Sequence, residues 1–302
     1  MAATRQRTEN WRKCLWQIYE RNGAIEISLP ESQDAVDGDD TSVGAGATNL
    51  IWRVRILGIE DDAITVETPA ALGKSLYLED GVRLIAAIVI GQNRWMFETE
   101  ITGHVKQRGR GGKAISALRL FLPKKVERCG RRNFYRISTT ELTLPRVRLW
   151  SLIDPASAAV AEHANEEMVR RIQEKSGEAG VGDALDKSFI EQLALPEVGP
   201  PFDGVLANLG GGGLGVIVEQ DNSLAFTSHR IYYLQFALPP EIAVPLAVTA
   251  KLVHTHMDSG HRIYAGLAFD FSRNKSHESF IAEQLERYVA LRQDVESVRR
   301  AA

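Results

Sequence analysis

The chain has 302 residues, is 44% hydrophobic and 25% charged, and carries a net charge of −3. Such values belong to globular proteins and exclude a disordered, collagenous or coiled-coil chain. No apolar run approaches the ~18–20 residues that span a bilayer, and MAATRQRTENWRKCLW at the start lacks the apolar stretch of a secretory signal. The expectation is a cytoplasmic protein without membrane insertion. Two cysteines, Cys14 and Cys129, can build neither a disulfide framework nor a four-cysteine zinc site.

In chain order, residues 9–21 read as a short amphipathic helix with Trp11, Leu15 and Ile18 on one face. The strand-like GAIEISLP follows, then the small, acidic, glycine-bearing loop DAVDGDDTSVGAGAT. From Leu50 the texture is β. LIWRVRILGIE, AITVETP, VRLIAAIVIG, RWMFETEITGHV and KAISALRLFL are rich in Val, Ile, Thr and aromatics and are separated by turn signals. This series is assigned to a first domain, 1–123. A second series, NFYRIS, LPRVRLWSL, DGVLANL, LGVIVEQ, RIYYLQFAL, LAVTAKLVHTH and HRIYAGLAFDF, fills a second domain, 124–302. Its last element reads as a helix in which Ile281, Leu285, Tyr288, the stem of Arg292 and Val295 share a face, with Ser276 as the cap. The expected fold class is mainly β, two β-barrel domains, the second closed by a C-terminal helix.

Residues 151–203 interrupt the second series as an insertion with eleven acids against four bases. Val160, Ala164, Met168 and Ile172 predict a helix ending near Gly177, and Leu185, Phe189 and Leu193 predict a second. Charge is segregated elsewhere too. Lys106 to Arg136 hold eleven basic residues and one acid, Glu127. The remainder, with 25 of the 36 basic and 38 of the 39 acidic residues, carries −13. A basic stretch of this kind attracts an anion, although a solvated basic edge gives the same pattern.

Two constellations could carry chemistry. The first is Arg131-Arg132-Asn133-Phe134-Tyr135-Arg136, between the two β series. Guanidinium forks suit phosphates and the O6/N7 edge of guanine. The second is Asn208-Leu209-Gly210-Gly211-Gly212-Gly213-Leu214-Gly215. It formally contains GxGxxG, but the chain continues as a strand, LGVIV, where a dinucleotide-binding turn must open a helix. A run of glycines then signals a tight turn or a close backbone approach. A third group, His254, His256, Asp258 and His261, has the residue types of a metal site, with the two strand histidines on one face. Asp258-Ser259-Gly260 also reads as a plain hairpin turn. No GxSxG, HExxH or P-loop motif occurs.

Together the first two constellations resemble the PilZ domain family, whose members carry RxxxR just before a six-stranded barrel and [D/N]xSxxG one strand-pair later. Arg132 and Arg136 match the first motif, extended by Arg131; Asn208 and Gly213 match the second. With a β domain in front, the whole chain is similar to YcgR-type members, in which an N-terminal barrel precedes PilZ. The resemblance implies a non-enzymatic receptor for cyclic di-GMP, bound by Arg131, Arg132, Arg136, Asn208, Gly210 and Gly213. It implies no metal and no further cofactor, no nucleic-acid partner, and a flagellar motor component or other effector protein as the output. Two departures stand out. Gly210 replaces the motif serine, a lost hydrogen bond worth ~0.5–3 kcal/mol, and the acidic insertion stands where the family has a short connection. The alternatives are a degenerate PilZ module that binds no nucleotide and serves protein interaction, and a metal-dependent enzyme at His254, His256 and His261.

Overall fold

The computed structural model describes residues 11–30, 50–90, 93–108, 114–124, 126–129, 136–137, 140–141, 144–176, 194–210, 212–219, 226, 229–239, 241–257 and 262–301. Among these, 11–30, 50–141 and 289–301 group into one compact unit and 144–288 into a second.

The first unit is built on six antiparallel strands: β1 (Ala24–Ser28), β2 (Ile51–Ile59), β3 (Ala63–Glu67), β4 (Arg83–Ile90), β5 (Asn93–Arg108) and β6 (Ala114–Phe121). Pairings β1–β2, β2–β3, β3–β6, β6–β5, β5–β4 and β4–β1 close the ring. Closure leaves no open strand edge to aggregate. Alternate residues Ile25, Ile27, Trp52, Val54, Ile56, Ile64, Val66, Leu84, Ala86, Ile88, Leu118 and Leu120 fill the interior, as the period of two in a half-buried strand requires. Helix α1 (Trp11–Glu20) buries the face read from sequence, Trp11, Leu15 and Ile18. It ends at Asn22, whose left-handed backbone (φ 57°) lets the Gly23 N–H donate to the Ile18 carbonyl.

The second unit closes in the same way. β7 (Arg146–Leu152), β8 (Val198–Gly210), β9 (Gly213–Val218), β10 (Ile231–Leu238), β11 (Ile242–Met257) and β12 (Ile263–Phe269) form the ring β7–β8–β9–β12–β11–β10–β7. The expected mainly β architecture of two barrels, the second six-stranded with a C-terminal helix, is therefore present. Of NFYRIS the described residues are Arg136–Ile137, which pair as a short strand with Thr140–Glu141; the rest lies outside the described residues. β8 begins at Val198, so its first residues run through the stretch read as insertion.

Helix α2 (Ala158–Ser176) occupies the insertion, but the buried face is not the apolar one predicted. Val160 is 74% exposed, while Ala158, Ala161, Glu162, Asn165 and Val169 are buried. The reason lies in β11, which pairs with β12 only from Ala250 onward. Residues 245–249 thus present an unpaired edge, and buried backbone groups must find partners. The Asn165 Oδ1 accepts from the Ala247 N–H (2.9 Å) and its Nδ2 donates to the Pro245 carbonyl (2.8 Å). One Glu162 oxygen accepts from the Thr249 N–H and hydroxyl (2.9 and 2.7 Å). His277, fully buried, donates from Nε2 to the Ala247 carbonyl at 2.7 Å. The Asp270 N–H completes the edge at the Thr249 carbonyl (2.9 Å). A polar helix face is what an open strand edge needs. The second helix predicted around Leu185, Phe189 and Leu193 lies outside the described residues.

Helix α3 (Lys275–Ala301) buries Ile281, Leu285, Tyr288 and Arg292, while Val295 is 40% exposed. Its cap is not Ser276. The helix starts one residue earlier, and the Ser276 hydroxyl donates to the Asn274 side chain (2.9 Å) just ahead of it. In the first unit, Arg292 donates to the Pro30 carbonyl, and the Gln293 amide holds the Glu79 N–H and the Tyr77 carbonyl at 2.8 and 3.0 Å. Ahead of the helix, burial opposes ionisation of Asp270. The Lys251 ammonium at 2.8 Å and hydrogen bonds from Ser272 outweigh it and hold that carboxyl below its ordinary range.

Candidate functional site: the glycine hairpin and its aromatic wall

β8 and β9 form a hairpin in which Gly210 pairs with Gly213, so the strands are joined through positions 211 and 212, both glycine. A bulge between Leu206 and Asn208 shifts the register, bringing Asn208 opposite Gly215. Such bulges re-aim side chains. Asn208 is 9% exposed, and its Oδ1 accepts from the Tyr264 hydroxyl at 3.3 Å.

The glycines have separate physical reasons. A Cβ on Gly213 would lie 2.1 Å from the Leu267 carbonyl oxygen of β12, so this position is dictated by a close backbone approach. A Cβ on Gly215 would meet the Tyr264 hydroxyl at 2.3 Å and its ring at 2.6 Å, and one on Gly266 the His254 ring at 2.3 Å. These two glycines are therefore the floor beneath aromatic side chains from the neighbouring strands. Gly210 differs: the nearest atom to a Cβ there is 3.8 Å away, and a side chain fits.

Across the wall, His254 stands opposite Gly266 and His256 opposite Tyr264. Another bulge, between Leu252 and His254, sets this register. The His256 and Tyr264 ring centroids are 4.7 Å apart, His254 and Tyr264 5.9 Å, and the two histidines 6.3 Å with planes within 3°. The pair of histidines singled out as metal ligands thus packs against a tyrosine. Among the described residues no group of three His, Cys, Asp or Glu could hold a metal ion; Asp258 and His261 lie outside them. Sequence reading did not place Tyr264 in the site, because the glycine it covers, Gly215, lies on another strand, far away in the sequence.

Asn208, Gly210 and Gly213 are thus brought together on one hairpin. Arg136 lies in the small hairpin of the first unit, and Arg131 and Arg132 lie outside the described residues. No helix of the described residues is long and apolar enough to cross a membrane.

Residues 38–110 match the PilZNR family model, described as flagellar protein YcgR. No curated protein matches the chain. Among solved structures, the chain is similar to Bacillus subtilis MotI/DgrA, an inhibitor of motility (13% identity, TM-score 0.28, covering 89% of this chain and 97% of that one). It is similar to K. pneumonia MrkH in complex with c-di-GMP (12%, 0.28, 95% and 93%) and to Escherichia coli YcgR in complex with c-di-GMP (12%, 0.26, 94% and 92%). At such identities and TM-scores these three are likenesses only. The chain thus joins a match to the PilZNR model over residues 38–110 with a closed six-stranded barrel, followed by a C-terminal helix, later in the sequence.

Proposed function

We propose that this protein is a cytoplasmic receptor for cyclic di-GMP. In this reading Arg132 and Arg136 grip phosphate and guanine groups, Arg131 adds a third cation, and Asn208 reads a guanine edge. Gly210 and Gly213 keep the hairpin backbone low enough for a base to approach. Ligand capture by the arginines, which stand between the two β series, changes the arrangement of the barrels. That change reaches a flagellar motor component or another effector protein. Such coupling requires the nucleotide to bind one arrangement more tightly than the other.

The observation that carries the reading is the order of features along one chain: a YcgR-family match, then RRxxxR, then a hairpin with Asn208 and Gly213 in the [D/N]xSxxG places. The test is calorimetric titration of cyclic di-GMP, with GTP as control, into the native protein and Arg136→Ala. Saturable binding that weakens at least tenfold in the variant is expected; absence of heat at high nucleotide concentration overturns the receptor. Gly210 supports a second reading, a PilZ module that binds no nucleotide and acts as a protein-interaction platform. The same absence of heat is its prediction.

A further inference from the structure

The wall around Tyr264 has features that barrel closure does not require. His254 and His256 are exposed and Tyr264 is half-buried, so three rings lie in mutual contact on the outside of β11 and β12. Among the described residues neither histidine makes a hydrogen bond or ion pair. Beneath the rings the sheet is stripped of side chains at Gly215 and Gly266. At one end stands the Asn208 amide. Its Oδ1 is engaged by the Tyr264 hydroxyl, and among the described residues its Nδ2 has no partner. A broad aromatic surface that ends in an oriented amide donor suits a flat ligand with an acceptor on its edge.

We infer that this wall is a stacking ledge for a purine base, with the rings of His254, His256 and Tyr264 carrying the base and the Asn208 amide, oriented by Tyr264, donating to its O6/N7 edge. The inference rests on the receptor reading for the identity of the nucleotide, not for the ledge itself. Stacking on aromatic side chains accepts any base, since every base has a π-face. Selection then falls to the amide. With its oxygen held by Tyr264, Asn208 offers a donor, which complements the O6/N7 acceptors of guanine. Tyr264 is here a positioning residue as well as part of the surface.

Two titrations test this, each read by the histidine ring signals of the native protein in nuclear magnetic resonance and by calorimetry. One uses cyclic di-GMP, the other GMP. The ledge predicts ring-current shifts at His254 and His256 and none at the buried His277. It further predicts about tenfold weaker binding in His256→Ala, the scale of one lost stacking contact, and a smaller, few-fold loss in Tyr264→Phe. Circular dichroism of each variant checks that the barrel remains folded. Calorimetric binding of cyclic di-GMP with unmoved histidine signals and native-like affinity in His256→Ala overturns the ledge and leaves the receptor standing. No heat with cyclic di-GMP but shifted rings with GMP removes the receptor and keeps the ledge. Silence in both titrations overturns both.

Discussion

Gly210 and Gly213 look alike in the sequence and are opposites in the structure. Gly213 is enforced by the Leu267 carbonyl, 2.1 Å from where a Cβ would stand, whereas Gly210 has 3.8 Å of clearance. Gly213→Ala should therefore overpack the β9–β12 contact and cost about 1–3 kcal/mol, a fall of several degrees in Tm by differential scanning calorimetry. An unchanged Tm would refute the close approach. Gly210→Ser is expected to fold as the native protein does and to strengthen cyclic di-GMP binding. Regaining one hydrogen bond to the ligand contributes ~0.5–3 kcal/mol, from a few-fold to about a hundredfold in affinity. Titration of the variant beside the native protein reads this directly, and equal affinities would mean that no ligand group lies within reach of position 210.

At the scale of elements, helix α2 is held by hydrogen bonds where amphipathic helices usually rely on an apolar stripe. Its buried apolar residues are small or few: Ala158 and Ala161 pack in a cluster with Trp150, Leu152, Tyr233 and Ala247, and Val169 is buried as well. Asn165 satisfies a donor and an acceptor of the β11 edge at once. Replacing it with leucine leaves the Ala247 N–H and the Pro245 carbonyl buried without partners, and should cost about 1–3 kcal/mol in urea unfolding. Val160→Ser, on the exposed face, should stay within about 0.5 kcal/mol. The reverse ranking would place the docking face where the sequence periodicity put it. The packing of α2 against α3 is reinforced by Arg170, which donates to Glu166 (3.2 Å) and Glu283 (3.1 Å) and lies 5.3 Å from the centre of the Phe280 ring.

For the whole molecule, the issue is whether nucleotide binding changes how the two barrels are arranged. Small-angle scattering with and without saturating cyclic di-GMP should give distinct profiles, and Arg136→Ala should abolish the difference. Superimposable profiles in a protein that binds the nucleotide would remove the coupling and leave a receptor without that transmission step.

Much of this was legible in the residues. Strands β1 to β6 were readable because they are short runs rich in β-branched, aromatic and other apolar residues, set apart by turn and loop residues, and the same holds for most of β7 to β12. The face of α1 and all but the last position of the α3 face followed from helical spacing for the same local reason. The Asn208–Gly213 hairpin was equally local: two glycines between paired strands leave few other turns. What pattern could not supply was every contact made across strands distant in sequence. The polar docking face of α2 depends on where β12 stops, more than 90 residues after α2 ends. The reason for Gly213 is a carbonyl on β12, the place of Asn208 near Tyr264 depends on the bulge in β8, and that of the two histidines beside Tyr264 on the bulge in β11. Local periodicity determined the strands, the two barrels and the motif. Only tertiary structure decided which side chains meet, because register and bulges are set by pairing between segments that carry no mark of one another.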